Sequence, residues 1–211
     1  MEEKIKNQTE ELNDDVTEEK KPAEGIETEK ESVEEEEKIN WGKEIRSWIL
    51  IFVIAMVAAW AINSFVIVNA TVPTESMMDT IQPGDRLLGL RFSYAFSEPK
   101  RGDIIVFKYP DDESQNFVKR IIGLPGETIH IEDGKIYING KEWEDGYNRE
   151  DWDYTSDEDF VVPEDSYFML GDNRNNSKDS RYWTNTYVKK DKIIGKVYVK
   201  YWPFNRIGKL K

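Results

Sequence analysis

The sequence contains no cysteine and only one histidine, which removes several kinds of chemistry. Without cysteine the chain has no disulfide, no thiolate nucleophile and no thiolate metal ligand. The single histidine, His130, would have to serve alone as the base of a serine-histidine-aspartate triad, and its place in an alternating strand pattern predicts a surface residue instead. The carboxylates show no metal-ligand spacing with histidine, so no metal site is indicated. No organic cofactor is expected either. A serine hydrolase built from this chain would therefore need lysine as its base.

The chain also lacks charge over one long stretch, between Arg46 and Glu75. A helix needs only about 20 apolar residues to cross a bilayer, so we predict a single transmembrane helix over residues 47–70. Lys38, Lys43 and Arg46 precede it, and the positive-inside rule then predicts a cytoplasmic N-terminus and an extracytoplasmic C-terminal domain. The alternatives are a buried helix of a soluble protein and a cleaved signal sequence.

Acidic residues outnumber basic ones in the first part of the chain. Residues 1–46 are rich in glutamate and nearly free of aromatic residues, and they carry most of the net charge of −13. Such a segment cannot bury enough apolar surface to offset the entropy of ordering, so we predict a disordered cytoplasmic tail. Nucleic-acid binding requires clustered lysine and arginine and is not expected.

Residues 71–211 predict a mostly β domain with one core, because short apolar stretches alternate with glycine, proline and aspartate. The pair Asp133-Gly134 is typical of a two-residue hairpin turn. The segment 141–165 is acidic and aromatic and is predicted to be peripheral. No repeat and no second globular domain is indicated. Strands are predicted over 103–109, 116–123, 128–132, 135–139, 167–170 and 193–202.

Two basic residues interrupt the strand predicted over 116–123, which is apolar on both faces. Lys119 and Arg120 point to opposite faces, and the alternation alone does not say which of them is buried. If Lys119 is buried, desolvation lowers its pKa and makes it usable as a general base near neutral pH. The alternative is a solvated basic pair on an edge strand.

Several short motifs occur in a fixed order behind the apolar run. Together they resemble the motif boxes of type I signal peptidases, the bacterial leader peptidases that remove signal peptides from exported proteins. The resemblance covers about residues 40–205. The motifs are Pro73-Thr74-Glu75-Ser76-Met77, Gly84-Asp85, Arg101 to Phe107, Lys119 to Glu127 and Gly171 to Arg181.

The resemblance implies a membrane-anchored β-rich fold and a serine-lysine dyad. Ser76 matches the nucleophile and Lys119 the general base. Thr74 matches the position whose hydroxyl assists the backbone N–H of Ser76 in the oxyanion hole. The implied activity is a serine endopeptidase that cleaves preproteins after small residues.

The resemblance assigns supporting roles to four more residues. Ser177 matches a hydroxyl that orients the lysine, and Asp179 and Arg181 match an ion pair near the site. Met77 matches a position that brings the domain close to the bilayer. The expected partners are preprotein signal peptides and the lipid bilayer, while oligomeric state is not readable from the sequence.

Two positions depart from the family pattern. Asp79 stands where a proline is usual, and Thr184 or Asn185 stands where a glycine is usual. Loss of the proline frees the backbone beside the nucleophile and adds a carboxylate. If Asp79 disables the site, the chain would be a membrane-anchored binding module. A self-cleaving repressor-type peptidase, with the same dyad on a related β-fold, is a further alternative, although the acidic tail and the anchor argue against it.

Overall fold

The computed structural model describes residues 40–78, 80–148 and 150–210. Apart from residues 40–46, the predicted tail lies outside the described residues, and so does Asp79. The side chain of Asn40 accepts a hydrogen bond from Lys43 N (3.3 Å), as a residue preceding a helix commonly does. The helix α1 accordingly begins at Trp41, inside the segment that was predicted to be tail.

The apolar run forms a helix, but with other bounds than predicted. α1 spans Trp41–Ala61 and continues as one π-helical turn over Ile62–Val66, and none of these residues is buried. Within the described residues it is the one helix long and apolar enough to cross a membrane, with a mean hydropathy of 2.4. The helix predicted over 47–70 therefore ends too late. The strand β1, Ile67–Thr71, takes over because Val68 is buried in the core and β-branched residues favour extended backbone.

The described β-strands form two antiparallel sheets. In the larger sheet the order is β1-β2-β11-β3-β4-β9-β10, with β12 also paired to β11. Its strands are β1, β2 (Arg86–Leu90), β3 (Ile104–Tyr109), β4 (Asp112–Gly123), β9 (Ser166–Leu170), β10 (Val188–Lys189), β11 (Ile193–Trp202) and β12 (Gly208–Lys209). The smaller sheet, ordered β7-β6-β5-β8, contains β5 (Thr128–Glu132), β6 (Lys135–Ile138), β7 (Lys141–Trp143) and β8 (Phe160–Val161). The mostly β architecture is thus confirmed.

The hairpin of β5 and β6 has the predicted turn. Asp133 and Gly134 both have positive φ, 47° and 72°, as the type I′ turn requires. The segment 141–165 departs from the peripheral placement, because it supplies both edge strands of the small sheet, β7 and β8. Trp143 and Tyr154 pack against the apolar cluster beneath that sheet.

β4 is buried along its second half on both faces. It pairs with β3 on one side and with β9 on the other, so it lies in the interior of the sheet. Arg120, Ile121 and Ile122 are each at most 1% exposed, and Lys119 is 4% exposed. The alternative of a solvated basic pair on an edge strand is therefore wrong.

Candidate active site

Ser76 lies in the loop that joins β1 to β2. Hydrogen bonds close the two ends of this loop, from Val72 N to Asp85 O (3.0 Å) and from Gly84 N to Val72 O (2.8 Å). The next side chain, Met77, is fully buried in the core. A closed loop with a buried anchor beside the serine holds Ser76 at a defined position, where the residue is only 8% exposed.

β4 brings a lysine to this serine. The Nζ of Lys119 lies 2.5 Å from the Oγ of Ser76, although the two residues are 43 positions apart in the chain. The aromatic ring of Phe117, two residues earlier on the same face of β4, has its centroid 5.9 Å from Nζ. The lysine amine therefore approaches the hydroxyl with apolar surface at its side and little access to water.

The electrostatic surroundings favour a neutral lysine near neutral pH. Burial lowers the pKa of Lys119 from 10.5 to about 8. The carboxylates of Asp179 and Asp172 oppose this by raising the pKa, and the guanidinium of Arg181 lowers it further. Desolvation is the largest of these effects, so an amine that could accept a proton from Ser76 is accessible without a histidine.

A cleft of about 810 Å³ opens over the two side chains. At its base, the Oγ1 of Thr74 lies 3.3 Å from the Oγ of Ser76. Residues of β1, of the serine loop and of β4 form its walls, which gives room for an extended peptide. The lining includes Val68, Asn69, Ala70, Arg91, Val106, Gln115, Asn116, Val118, Asn176, Lys178 and Ile194.

Arg120 points away from the serine and makes its own buried ion pair. Its Nε and Nη2 donate to the two carboxylate oxygens of Asp172 at 2.8 and 2.7 Å, and its Nη1 donates to Gly102 O at 2.6 Å. Both side chains are at most 1% exposed. Hence both members of the Lys119-Arg120 pair are buried, one at the serine and one at this carboxylate.

A second buried ion pair joins Asp179 to Arg181. The Nε and Nη2 of Arg181 donate to the two carboxylate oxygens at 2.8 and 2.9 Å. Asp179 also accepts a hydrogen bond from Gly171 N at 3.1 Å. A Cβ on Gly171 would collide with Ser76 O and with Ser177 Oγ, so only glycine fits against the serine loop here.

Comparison with known proteins identifies the family of the chain. The family described as signal peptidase, peptidase S26, matches residues 45–202. The chain belongs to this signal peptidase family. A signal peptidase I of Leptolyngbya laminosa is 44% identical over 74% of this chain and 79% of its own length. A probable signal peptidase I-2 of Synechocystis is 40% identical over 75% and 73%, and a signal peptidase I of Bacillus amyloliquefaciens is 36% identical over 84% and 98%.

Two supporting residues expected from the signal peptidase pattern are placed differently in the structure. The buried hydroxyl of Ser177 makes no hydrogen bond to any described residue, because it packs against Gly171 while the Nζ of Lys119 bonds to Ser76. Met77 was expected to contact the membrane, but its side chain is 0% exposed and packs with Val68 and other core residues. Met77, next to the serine, therefore anchors the loop in the core.

Two residues that form a buried ion pair were given no role from the sequence. Arg120 and Asp172 sit within the recognised motifs, which is the signal that could have singled them out. A buried arginine needs a carboxylate, but the strand pattern alone left open whether Arg120 is buried. His130, by contrast, lies at the surface, with Nδ1 2.9 Å from Asp159 Oδ1. Within the described ranges, no group of three or more histidine or carboxylate side chains is placed to hold a metal ion.

Proposed function

We propose that this chain is a membrane-bound serine endopeptidase that removes N-terminal signal peptides from exported preproteins. In this proposal Ser76 is the nucleophile and Lys119 the general base. The observation that carries it is the 2.5 Å approach of Nζ to Oγ in a buried site where the pKa of the lysine falls to about 8. An exposed lysine would stay protonated and could not accept the proton.

The proposed reaction is acyl transfer in two steps. Neutral Lys119 takes the proton of the Ser76 hydroxyl as Oγ attacks the scissile carbonyl, and the ammonium then protonates the departing amine. A water molecule, deprotonated by the same lysine, hydrolyses the acyl-enzyme and restores Ser76. The N–H of Ser76 and the hydroxyl of Thr74 are the proposed donors to the oxyanion, each donor of this kind being worth about 3 kcal/mol.

The cleft supports an extended substrate with small apolar side chains before the cut. Its walls are the strand β1 and the stretch Gln115–Lys119 of β4, both of which offer extended backbone. Apolar side chains at its floor, Val68, Val106 and Ile194, suit small apolar groups. The preference for small residues at the first and third positions before the cut remains a proposal from the family resemblance.

Cleavage of a preprotein by the detergent-solubilised full chain tests this function. We expect one new N-terminus, found by mass spectrometry directly after a small residue at the end of the signal peptide. The matched control is the same preprotein with that small residue replaced by a large aromatic one, which should stay uncut. Intact wild-type preprotein after prolonged incubation with well-folded protein would contradict the proposed activity.

We also propose that α1 anchors the chain in the cell membrane, with the catalytic domain outside. The 26-residue span Trp41–Val66 is long enough to cross. Lys38 precedes it, and Lys43 and Arg46 lie in its first two turns, at the same end. In place of Met77, exposed side chains of the large sheet and its C-terminal turn supply apolar surface that could face lipid. They are Leu88, Trp202, Phe204 and Ile207.

Because the chain has no cysteine, its orientation can be tested by single introduced thiols. We expect Lys135→Cys, on the exposed β5–β6 hairpin, to react with a membrane-impermeant maleimide on intact cells. Glu36→Cys, before the helix, should react only after the cells are opened. The reverse labelling pattern would overturn the proposed orientation, and labelling of neither before lysis would place both segments inside.

A further inference from the structure

The acidic and aromatic segment between β7 and β8 lies against the motif Gly171–Arg181 that backs the serine. We call its residues 144–148 and 150–154 the brace segment. Asp145 forms an ion pair with Arg174, and Asp151 O accepts a hydrogen bond from Asn175 Nδ2 at 3.0 Å. The ring of Trp152 lies 5.3 Å from the guanidinium carbon of Arg174. Three residues of the brace segment thus touch two consecutive residues of the motif.

Arg174 is the central contact of the brace segment. Its side chain is 0% exposed, and Asp145, at 13%, is the carboxylate paired with it. A buried guanidinium without a carboxylate is strongly unfavourable, so the position of this arginine depends on Asp145. At its other edge, the Nε of Arg174 donates to Gly171 O at 2.9 Å.

Gly171 connects this arginine to the reacting serine. Its Cα packs so closely on Ser76 O and Ser177 Oγ that a Cβ has no room, and its N–H is held by Asp179. Asn173 N also donates to Ser76 O at 3.2 Å. The peptide of Gly171 is therefore fixed on the nitrogen side by a carboxylate and on the oxygen side by Arg174, and it forms the surface against which the serine peptide rests.

The same segment covers the second buried arginine of the motif. The guanidinium carbon of Arg181 lies 5.2 Å from the ring of Trp152 and 5.1 Å from that of Tyr154. Arg181 in turn donates to Arg174 O at 2.8 Å. Aromatic faces stabilise such cations when water is excluded, so the brace segment holds both arginines from outside the motif.

We infer that Asp145 is a positioning residue for the nucleophile, acting through Arg174 and the Gly171 carbonyl. This inference rests on the proposed peptidase function. Without the carboxylate, burial of the Arg174 guanidinium is unfavourable, so we expect the arginine to move away and its hydrogen bond to Gly171 O to be lost. The glycine peptide can then tilt away from Ser76. A displacement of about 1 Å at a reacting group can cost up to about 100-fold in rate. The segment that looked peripheral in the sequence thus reaches the proposed nucleophile through three contacts, from Asp145 to Arg174, from Arg174 to Gly171 and from Gly171 to Ser76.

The test compares four variants of the full, detergent-solubilised chain on one preprotein substrate. Asp145→Asn keeps the shape but loses the charge, and Asp145→Glu keeps the charge. Arg174→Lys retains a cation for Asp145 but cannot also donate to Gly171 O in the same geometry. Asp153→Asn, which removes an exposed carboxylate from the same segment, is the matched control. For each, kcat and KM are measured separately, and kcat is divided by the fraction of Ser76 that an acylating inhibitor titrates.

We expect Asp145→Asn and Arg174→Lys to lower kcat per titrated site by about 10- to 100-fold with little change in KM. Asp145→Glu should recover most of the loss, and Asp153→Asn should match the wild type. If Asp145→Asn lowers the melting temperature and the titrated fraction but leaves kcat per site unchanged, Asp145 is only structural and the inference is overturned. Equal kcat for Arg174→Lys and wild type would overturn the link through Gly171. Failure of the wild type to cleave any preprotein would instead refute the proposed function.

Discussion

Preprotein cleavage should be lost in Ser76→Ala and in Lys119→Met, by about 10⁴-fold or more in each. The first change removes the attacking oxygen, and the second removes the amine proposed to take its proton. Among the described residues, the other side chain within hydrogen-bonding distance of Ser76 Oγ is that of Thr74, whose hydroxyl is not a base. Lys119→Arg should be equally inactive, because a guanidinium keeps its proton in proteins. Product formation is followed by gel and by mass spectrometry.

The control is Lys135→Met, the same substitution at an exposed lysine of the small sheet, which should retain full activity. Because the two dyad residues act as a unit, Ser76→Ala combined with Lys119→Met should be no worse than either alone. Residual cleavage by Lys119→Met above about 1% of wild type would exclude this lysine as the general base.

The same Lys119→Met variant should be more stable than the wild type. A lysine whose pKa falls from 10.5 unfolded to about 8 folded destabilises the folded state at pH 7 by about 3 kcal/mol. The penalty is complete below pH 8 and disappears as the pH rises towards 10.5, where both states are neutral. Thermal unfolding in detergent should therefore show the largest gain for Lys119→Met at neutral pH, and a smaller one at alkaline pH. Together, gained stability and lost activity distinguish an inactive site from a misfolded one.

Ser76 and Lys119 could be picked out as candidates from the sequence because they lie in unusual local settings, but their pairing as the proposed dyad came from the resemblance to the signal peptidase motifs. Ser76 follows an uncharged run of membrane length, and Lys119 interrupts a strand that is apolar on both sides. What could not be predicted is that Arg120 is buried as well. Strand alternation places neighbours on opposite faces, but only the pairing of β4 between β3 and β9 shows that both faces are covered.

Tertiary contacts also decide the features that were predicted wrongly. Nothing in the composition of the apolar run marks its change from helix to strand after Val66, which depends on pairing with β2. An apolar Met77 beside the serine is equally suited to lipid and to a core, and the core cluster around Val68 and Leu87 decides it. The acidic segment 141–165 looked peripheral because its contacts with Arg174 and Arg181 arise only when the chain folds back after β9.

The activity should rise with pH through the pKa of Lys119. In the free enzyme only the neutral amine can accept the proton of Ser76, so kcat/KM follows the fraction of neutral lysine. With a pKa of about 8, this fraction is about one in eleven at pH 7 and about one in a hundred at pH 6, and it approaches unity above pH 9. We therefore expect kcat/KM to fall about fivefold from pH 8 to pH 7 and about tenfold for each further pH unit, measured with a peptide substrate that has no titratable group near the cleaved bond.

If an exposed lysine had the same role, kcat/KM would rise near pH 10.4 instead. The pH at which kcat/KM rises therefore measures how well the site excludes water. The groups that face the amine act in both directions, since Asp179 and Asp172 raise its pKa and Arg181 lowers it. The rise of kcat/KM should occur at the same pH in Lys135→Met, because this lysine is exposed on the small sheet. A flat profile between pH 6 and 8 would mean that a group of lower pKa takes the proton. With His130 at the surface beside Asp159, no histidine lies at the serine to supply it, so such a profile would require a carboxylate base and a different mechanism.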